Sequence, residues 1–210
     1  CITETYRYSE EVPVIDKFKL QGYIFKYFED KDGTIYSDVF SKLTDEDGGV
    51  IDLFSVCDEI RYRAYYRYRH KGETQVVEIG WKTYNEEFVL EEPTYSYEGY
   101  EFAYYKNYYG REYMAGETVS RLYYIDGEHI YLDAVYLPKQ YNIIFDGNGA
   151  TSGEMTSITA TFDAEVTLPA NQFEKDGFIF VGWDYNGTIF LDCSEAIINS
   201  DIYEENLVLK

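Results

Sequence analysis

The sequence repeats itself at intervals of 77 and 78 residues, and this period constrains the fold more than any other feature. Each copy carries the pattern aromatic-x-x-x-Gly-aromatic-x-Phe. The copies span 18–25, 95–102 and 173–180, and their glycines are Gly22, Gly99 and Gly177. A chain that repeats at this length is typical of an array in which each repeat is one small structural unit.

The residues around this pattern follow the same period. An aromatic residue with Glu three positions later precedes each copy, at Tyr8, Tyr84 and Phe162. Each copy is also followed by a short apolar run, at 51–56, 130–136 and 207–209. We therefore predict a partial repeat that lacks its first strand at 1–58, a divergent repeat at 59–137 and a third repeat at 138–210.

Local signals predict an α+β unit, β-rich with one short helix per repeat. In the third repeat, apolar residues at 141–145 and within 157–168 favour two strands. Pro169 and Gly177 bracket about two helical turns, because Pro is tolerated at the first helical position and Gly favours helix ends. Residues 178–184 and 188–191 favour strands joined by the hairpin turn Asn186-Gly187. We further predict a helical turn at 194–200 and a closing strand at 207–209.

In this interpretation each repeated glycine ends the helix and the repeated aromatic residues pin that helix to the sheet. Two sets of equivalent core positions follow. The first set is Phe18, Tyr95 and Phe173, and the second is Phe25, Phe102 and Phe180. Trp183, three residues after the third copy, is predicted to have a structural role as well.

The third repeat also carries a family resemblance. It reads Tyr141-Asn-Ile-Ile-Phe-Asp-Gly-Asn-Gly149, then Val166-Thr-Leu-Pro169, then Gly177-Phe-Ile-Phe-Val-Gly-Trp183. It resembles the Listeria–Bacteroides repeat, the family of the internalin B-repeat, and of the three repeats it matches that family best. The first two repeats join through the internal period, since Tyr27-Phe28 and Tyr104-Tyr105 stand where the third has Gly182-Trp183.

The resemblance implies tandem small β-grasp-like repeats on a bacterial surface or secreted protein. Such modules act as spacers or as adhesive modules, and the family brings no catalytic residues. For Cys1, a lipidated first residue and a fragment boundary both remain open.

Composition agrees with a folded, β-rich and non-nucleic-acid-binding protein. The net charge of −21 repels phosphate backbones and anionic membrane surfaces. The chain has 25 Tyr and 13 Phe, residues that favour strands and that disordered segments lack. No apolar run reaches the roughly 20 residues of a membrane span.

The sequence offers no set of residues for catalysis, a cofactor or a metal. The only histidines are His70 and His129, in different parts of the second repeat. Two segments, Asp30-Lys-Asp32-Gly33 and Asp45-Glu-Asp47-Gly48, resemble the start of a calcium loop but lack its later ligands, so we interpret them as turns with weak cation binding as the alternative. The pairs Glu86/Glu87 and Glu91/Glu92 favour a solvated strand edge or turn over a glycosidase site.

The most distinctive segment is 61–69, where two kinds of residue alternate. As a strand it places Tyr62, Ala64, Tyr66 and Tyr68 on one face. The other face carries Arg61, Arg63, Tyr65, Arg67 and Arg69. This strip could bind an anionic glycan or a neighbouring repeat, or it could be a solvent face whose arginines protect a sheet edge from aggregation.

Surplus tyrosines offer a second surface, a sugar-stacking platform. Its candidates are Tyr65, Tyr108, Tyr109, Tyr123 and Tyr124. The sequence therefore predicts a non-enzymatic, extracellular spacer array with adhesion as an additional role and neighbouring repeats as partners. A module that binds a glycan or a host protein is the alternative, and neither requires nucleic acid, membrane insertion or a cofactor.

Overall fold

A computed structural model of the chain describes residues 20–37, 50–199 and 206–210. Regular structure in this part of the chain consists of seventeen β-strands. Contacts divide the chain into two compact units. Unit 1 is Cys1–Arg67, Thr74–Glu91 and Lys106–Asp133, and unit 2 is Tyr68–Glu73, Glu92–Tyr105 and Ala134–Lys210. The three-repeat boundaries remain a prediction, since these units follow contacts and not the sequence period.

The first three strands form an antiparallel sheet. They are β1 (Tyr23–Glu29), β2 (Ile35–Tyr36) and β3 (Phe54–Glu59), in the order β2-β1-β3. A register shift between Phe25 and Tyr27 bends β1 against β3. Phe25 is half-buried and packs on Phe28 with ring centroids 4.9 Å apart.

Seven strands follow in the middle of the sequence. They are β4 (Arg61–His70), β5 (Glu73–Thr83), β6 (Phe88–Val89), β7 (Tyr100–Asn107), β8 (Glu112–Tyr113), β9 (Thr118–Val119) and β10 (His129–Pro138). Five of them form a sheet in the order β5-β4-β10-β7-β8, while β6 pairs with β9. Because β10 lies beside β4, residues far apart in sequence share one face of this sheet.

The last seven strands form three small sheets. The strands are β11 (Gln140–Phe145), β12 (Ile158–Thr161), β13 (Glu165–Thr167), β14 (Trp183–Tyr185), β15 (Thr188–Phe190), β16 (Glu195–Ile197) and β17 (Asn206–Leu209). Their sheets are β12-β11-β17, β13-β16 and β14-β15. The predicted hairpin turn is confirmed, since Asn186 and Gly187 have φ of 50° and 85°, as a type I′ turn requires.

The core of this C-terminal part forms around Trp183. Alternate residues of β11 and β17 point inward, which is the two-residue period of a strand with one buried face. The buried members are Tyr141, Ile143, Phe145, Ala160, Leu168, Trp183, Ile198, Leu207 and Leu209. The Trp183 ring contacts those of Phe145, Phe173 and Phe180, with centroids 4.8, 6.2 and 5.0 Å away.

The prediction of an α+β, β-grasp-like fold with one helix per repeat is wrong, because the described residues contain no helix. Between Pro169 and Gly177 the chain has no helix and forms a bridge from Glu174 to Ser152. Gly177 instead occupies the third position of a β-turn in which Phe178 N–H donates to the Lys175 carbonyl at 3.0 Å. Its φ of 81° suits a type II turn as well as a helix end.

Two smaller predictions also need correction. The strand predicted for 178–184 begins only at Trp183, and the residues from Phe178 to Val181 are exposed. Half of the described residues of the helical turn predicted for 194–200 form β16 instead, and none of them is helical. Both segments contain apolar residues, but a short apolar run does not by itself distinguish a strand from a helical turn or a loop.

Candidate functional site

A glycine turn in unit 1 accepts an aromatic ring from a distant part of the sequence. Gly22 is buried with φ of 85°, and a Cβ added there would lie 2.2 Å from the Tyr84 ring. The Gly22 carbonyl accepts from Ile60 N–H at 3.0 Å, and the Ile60 carbonyl accepts from Tyr84 N–H at 3.1 Å. Ile60 is the single residue between β3 and β4, so this connection is held on both sides.

Side chains complete this contact, which we call the Gly22 junction. Tyr23 meets the Tyr84 ring edge-on at 6.1 Å. The Asn85 amide donates to the Tyr23 hydroxyl at 2.5 Å and to Glu59 at 2.8 Å. The amide bond to Glu59 is the main reason that the pKa of this carboxyl is lowered.

Unit 2 contains a second contact of the same form, the Gly99 junction. Gly99 is buried with φ of 75°, and a Cβ added there would lie 2.3 Å from the Phe162 ring. The connecting residue is now Lys139, between β10 and β11. Its N–H donates to the Gly99 carbonyl at 2.8 Å and its carbonyl accepts from Phe162 N–H at 2.9 Å. Tyr100 meets the Phe162 ring edge-on at 5.7 Å.

Asp163 is the polar centre of the Gly99 junction. It accepts from the Tyr100 hydroxyl at 3.1 Å and from the Asn199 amide at 2.9 Å, and it pairs with Lys71 at 2.9 Å. The Lys71 hydrogen bond, followed by those of Asn199 and Tyr100, lowers the pKa of Asp163. Asn85 stands at the corresponding position of the Gly22 junction, where a neutral amide replaces the carboxylate.

The predicted strip on β4 is an outward-facing surface with aromatic partners. Tyr62, Ala64, Tyr66 and Tyr68 are buried, and Arg61, Arg63 and Arg69 are exposed. In unit 1, Arg61 and Arg63 lie over the ring of Trp81, 5.4 and 4.9 Å from its centroid. Such stacking holds a guanidinium in place. Arg63 also lies 4.0 Å from the Glu78 carboxylate.

Arg67, on the same surface, has a closer acidic partner than Arg63. Arg67 forms a two-point pair with Asp133, at 2.5 and 2.7 Å, and lies 4.4 Å from the Tyr131 ring centroid. Tyr65 packs against Tyr131 at 5.5 Å and His129 at 6.3 Å. We call this surface of unit 1 the arginine–aromatic face. It consists of Arg61, Arg63, Tyr65, Arg67, Trp81, His129 and Tyr131.

Four of the five predicted platform tyrosines come together elsewhere in unit 1. Tyr109 stacks on Tyr124 at 6.1 Å, and Tyr108 and Tyr123 extend the group on either side. A hydrogen bond with Tyr124 is the main cause that raises the pKa of Tyr109 to about 12. Tyr65 belongs to the arginine–aromatic face instead.

The remaining candidates do not converge. Within the described residues, no three His, Cys, Asp or Glu side chains could hold a metal ion together. The Asp30 carboxylate accepts from the backbone of Asp32 and Thr34 and from the Tyr36 hydroxyl, which lowers its pKa. Asp45, Asp47, Cys1 and Phe18 lie outside the described residues.

Of the predicted carboxylate pairs, Glu86 has clear structural partners. Glu86 accepts from Lys82 and from the backbone of Thr83, as a turn residue does. His70 stacks on Tyr97 at 4.2 Å. Cys57 and Cys193 are free thiols.

A surface pocket of about 340 Å³ has Glu154 as its only ionisable lining residue, beside Met155, Thr156, Ile158, Pro169 and Gln172.

Comparison with known families concerns the C-terminal part of the chain. Residues 141–203 match the family model described as the Listeria-Bacteroides repeat domain. This segment is therefore similar to the Listeria-Bacteroides repeat. The match covers β11 to β16 and includes Trp183 and the Gly177 turn. Neither a curated protein nor a solved structure matches the chain.

The resemblance noted in the sequence is thus confirmed for this segment. Listeria-Bacteroides repeats occur in bacterial surface proteins, and the charge of this chain is compatible with that setting. No helix in the described part of the chain is long and apolar enough to cross a membrane.

Sequence reasoning missed the partners that complete each surface. Trp81 and Tyr131 lie on β5 and β10, and only the strand order brings them beside β4. Tyr84 and Phe162 did give a signal, because each stands in the periodic motif before the glycine of its own repeat. What the period could not show is that each ring packs on the glycine of the preceding repeat.

We expect Gly99→Ala to destabilise the protein by about 2–4 kcal/mol, because the new Cβ combines a left-handed backbone with a clash against the Phe162 ring. Gly110→Ala is the matched control. Gly110 has φ of 84° and nothing within 4 Å, so strain alone should cost about 1 kcal/mol. Equal shifts in urea unfolding midpoints would contradict the ring-over-glycine contact.

The lowered pKa of Asp163 predicts a pH-dependent contribution to stability. Because its folded pKa lies below the ordinary 3.8, the contribution is fully present above that value and is lost as the pH falls through the folded pKa. We expect Asp163→Asn to be less stable than the wild type at pH 7, with a gap that narrows below pH 3.8. Urea unfolding of both proteins at pH 7 and below pH 3.8 measures this difference in stability. A difference that does not change with pH would contradict the prediction.

Proposed function

We propose that the chain is a non-enzymatic repeat array of a bacterial surface protein and that it acts as a spacer between other modules. The observation that carries this proposal is the repetition of one junction, at Gly22 and at Gly99. Each junction holds its connecting residue by two main-chain hydrogen bonds and packs a ring on the glycine. Segments connected in this way resist bending better than segments joined by a flexible linker.

Charge and composition support the same proposal. The net charge of −21 favours solubility and discourages self-association outside the cell. Both junctions use packing and main-chain hydrogen bonds, which salt screens little, whereas the partly exposed Lys71–Asp163 pair of the Gly99 junction is open to screening. The partners are neighbouring repeats, and the proposed activity needs no cofactor, metal or catalytic residue.

Small-angle X-ray scattering tests the spacer proposal. We expect the largest dimension of the wild-type chain to be the same in low and high salt, because both junctions depend on packing. Phe162→Ala should broaden the distance distribution, since it removes the ring that lies on Gly99. Phe178→Ala is the control, because Phe178 is 70% exposed. A wild-type distribution as broad as that of Phe162→Ala would contradict the proposal.

Ligand binding is the second candidate function. The proposed ligand is a glycan, and a host protein is the alternative ligand. The observation in its favour is the arginine–aromatic face, where Trp81 is 41% exposed beneath two arginines. An exposed ring next to guanidinium donors suits a sugar ring with an anionic substituent.

Calorimetric titration with heparin, an anionic glycan, tests this second role. If the face binds it, Trp81→Ala and Arg63→Ala should each weaken binding by about tenfold, which corresponds to the loss of one stacking or charged contact. Arg111→Ala is the matched control, because Arg111 lies over Tyr113 outside this face. Absence of binding by the wild type, or equal loss in the control, would exclude the face as the site for this ligand class.

A further inference from the structure

The three glycine turns have the same internal structure. In each, the residue after the glycine donates its N–H to the carbonyl three residues before. The pairs are Tyr23 to Leu20 at 3.1 Å, Tyr100 to Tyr97 at 3.1 Å and Phe178 to Lys175 at 3.0 Å. The glycine φ values are 85°, 75° and 81°. The backbone of the third turn is therefore already in the form that accepts a ring in the other two.

The third turn differs in what covers it. Gly22 and Gly99 are buried beneath rings, whereas Gly177 is exposed and has no described heavy atom within 4 Å of an added Cβ. The next residues are apolar and open to solvent, with Phe178 70% exposed and Ile179 89% exposed. Lys175 lies 4.7 Å from the Phe178 ring centroid and covers only part of it.

The two filled junctions show what kind of group fits such a turn. Tyr84 follows Gly22 by 62 residues and Phe162 follows Gly99 by 63. Each ring comes directly after the second strand of the following sequence repeat, β5 in one case and β12 in the other. The same offset from Gly177 lies beyond Lys210. No described residue therefore stands at the position from which the other two turns receive their rings.

We propose that the Gly177 turn is the docking site of one further repeat of this type, joined in tandem behind β17 and supplying an aromatic ring to the open side of the glycine. The ring meets Phe178 edge-on, as Tyr84 meets Tyr23 and Phe162 meets Tyr100. Phe178 has no hydroxyl, so the hydrogen bond to an Asn or Asp is absent from this junction. This inference rests on the proposed spacer function and names the residues through which a neighbouring repeat would bind.

A chain extended by a copy of its own residues 134–210, placed directly after Lys210, tests the proposal. This join matches the existing one, because Leu209 and Leu132 are corresponding buried residues of β17 and β10. The added copy carries Ile179→Val, so that its peptides differ in mass from those of the original. Hydroxyl-radical footprinting then measures the reactivity of Phe178 in each copy separately.

We expect Phe178 of the original sequence to become at least about twofold less reactive than in the unextended chain, because its exposure would fall from 70% to the half-buried range of Tyr23 and Tyr100. Phe178 of the added copy should keep its full reactivity. The matched variant has Phe162→Ala in the added copy only, and it should lose the protection while the near-ultraviolet circular dichroism of Trp183 confirms folding.

Unchanged reactivity of Phe178 in the extended chain would overturn the proposal. Tyr100 serves as the reference for the spacer function itself. If Tyr100 stays protected while Phe178 does not become protected, only the Gly177 assignment fails, and if Tyr100 is reactive as well, the spacer proposal fails with it. Protection of Phe178 in the unextended chain that rises with protein concentration would assign the turn to a second copy and overturn the tandem assignment.

Discussion

An aromatic ring packed on the bare Cα of a glycine is the contact on which the connections of this chain depend. Only a residue without a side chain provides both the left-handed backbone and the space that the ring occupies. Around each ring the polar groups differ, with Asn85 in one junction and Asp163 with Lys71 in the other. The apolar contact and the two main-chain hydrogen bonds are therefore the shared elements, and the side-chain polar groups differ between the junctions.

The period of the sequence correctly identified the three glycines as equivalent positions. The prediction that each glycine ends a helix was wrong, because each lies in a β-turn. A positive φ after a polar residue suits the end of a helix and the third position of a type II turn equally well. Pro169 and Gly177 do not decide between these alternatives, because the deciding contacts are distant. The bridge from Glu174 to Ser152 and the hydrogen bond from Asn171 N–H to Asp192 hold 169–177 in a non-helical conformation.

Features with a local cause were predictable. The alternation of β4 follows from the strand period alone, and its buried tyrosines lie where the pattern places them. Trp81 and Tyr131 could not be added to that surface from sequence, because β5 and β10 become neighbours of β4 only through the strand order. The tyrosine pair of Tyr109 and Tyr124 likewise joins residues from separate loops.

The pairing of β11 with β17 has a mechanical consequence. These strands are parallel neighbours, with Asn142 opposite Asn206 and Phe145 opposite Leu209. The start of β11 and the end of β17 therefore lie at opposite ends of the pair. A pulling force applied at those two points slides one strand along the other and loads their hydrogen bonds together. A module with this arrangement resists tension in shear, whereas a hairpin pulled at its open end would yield one bond at a time.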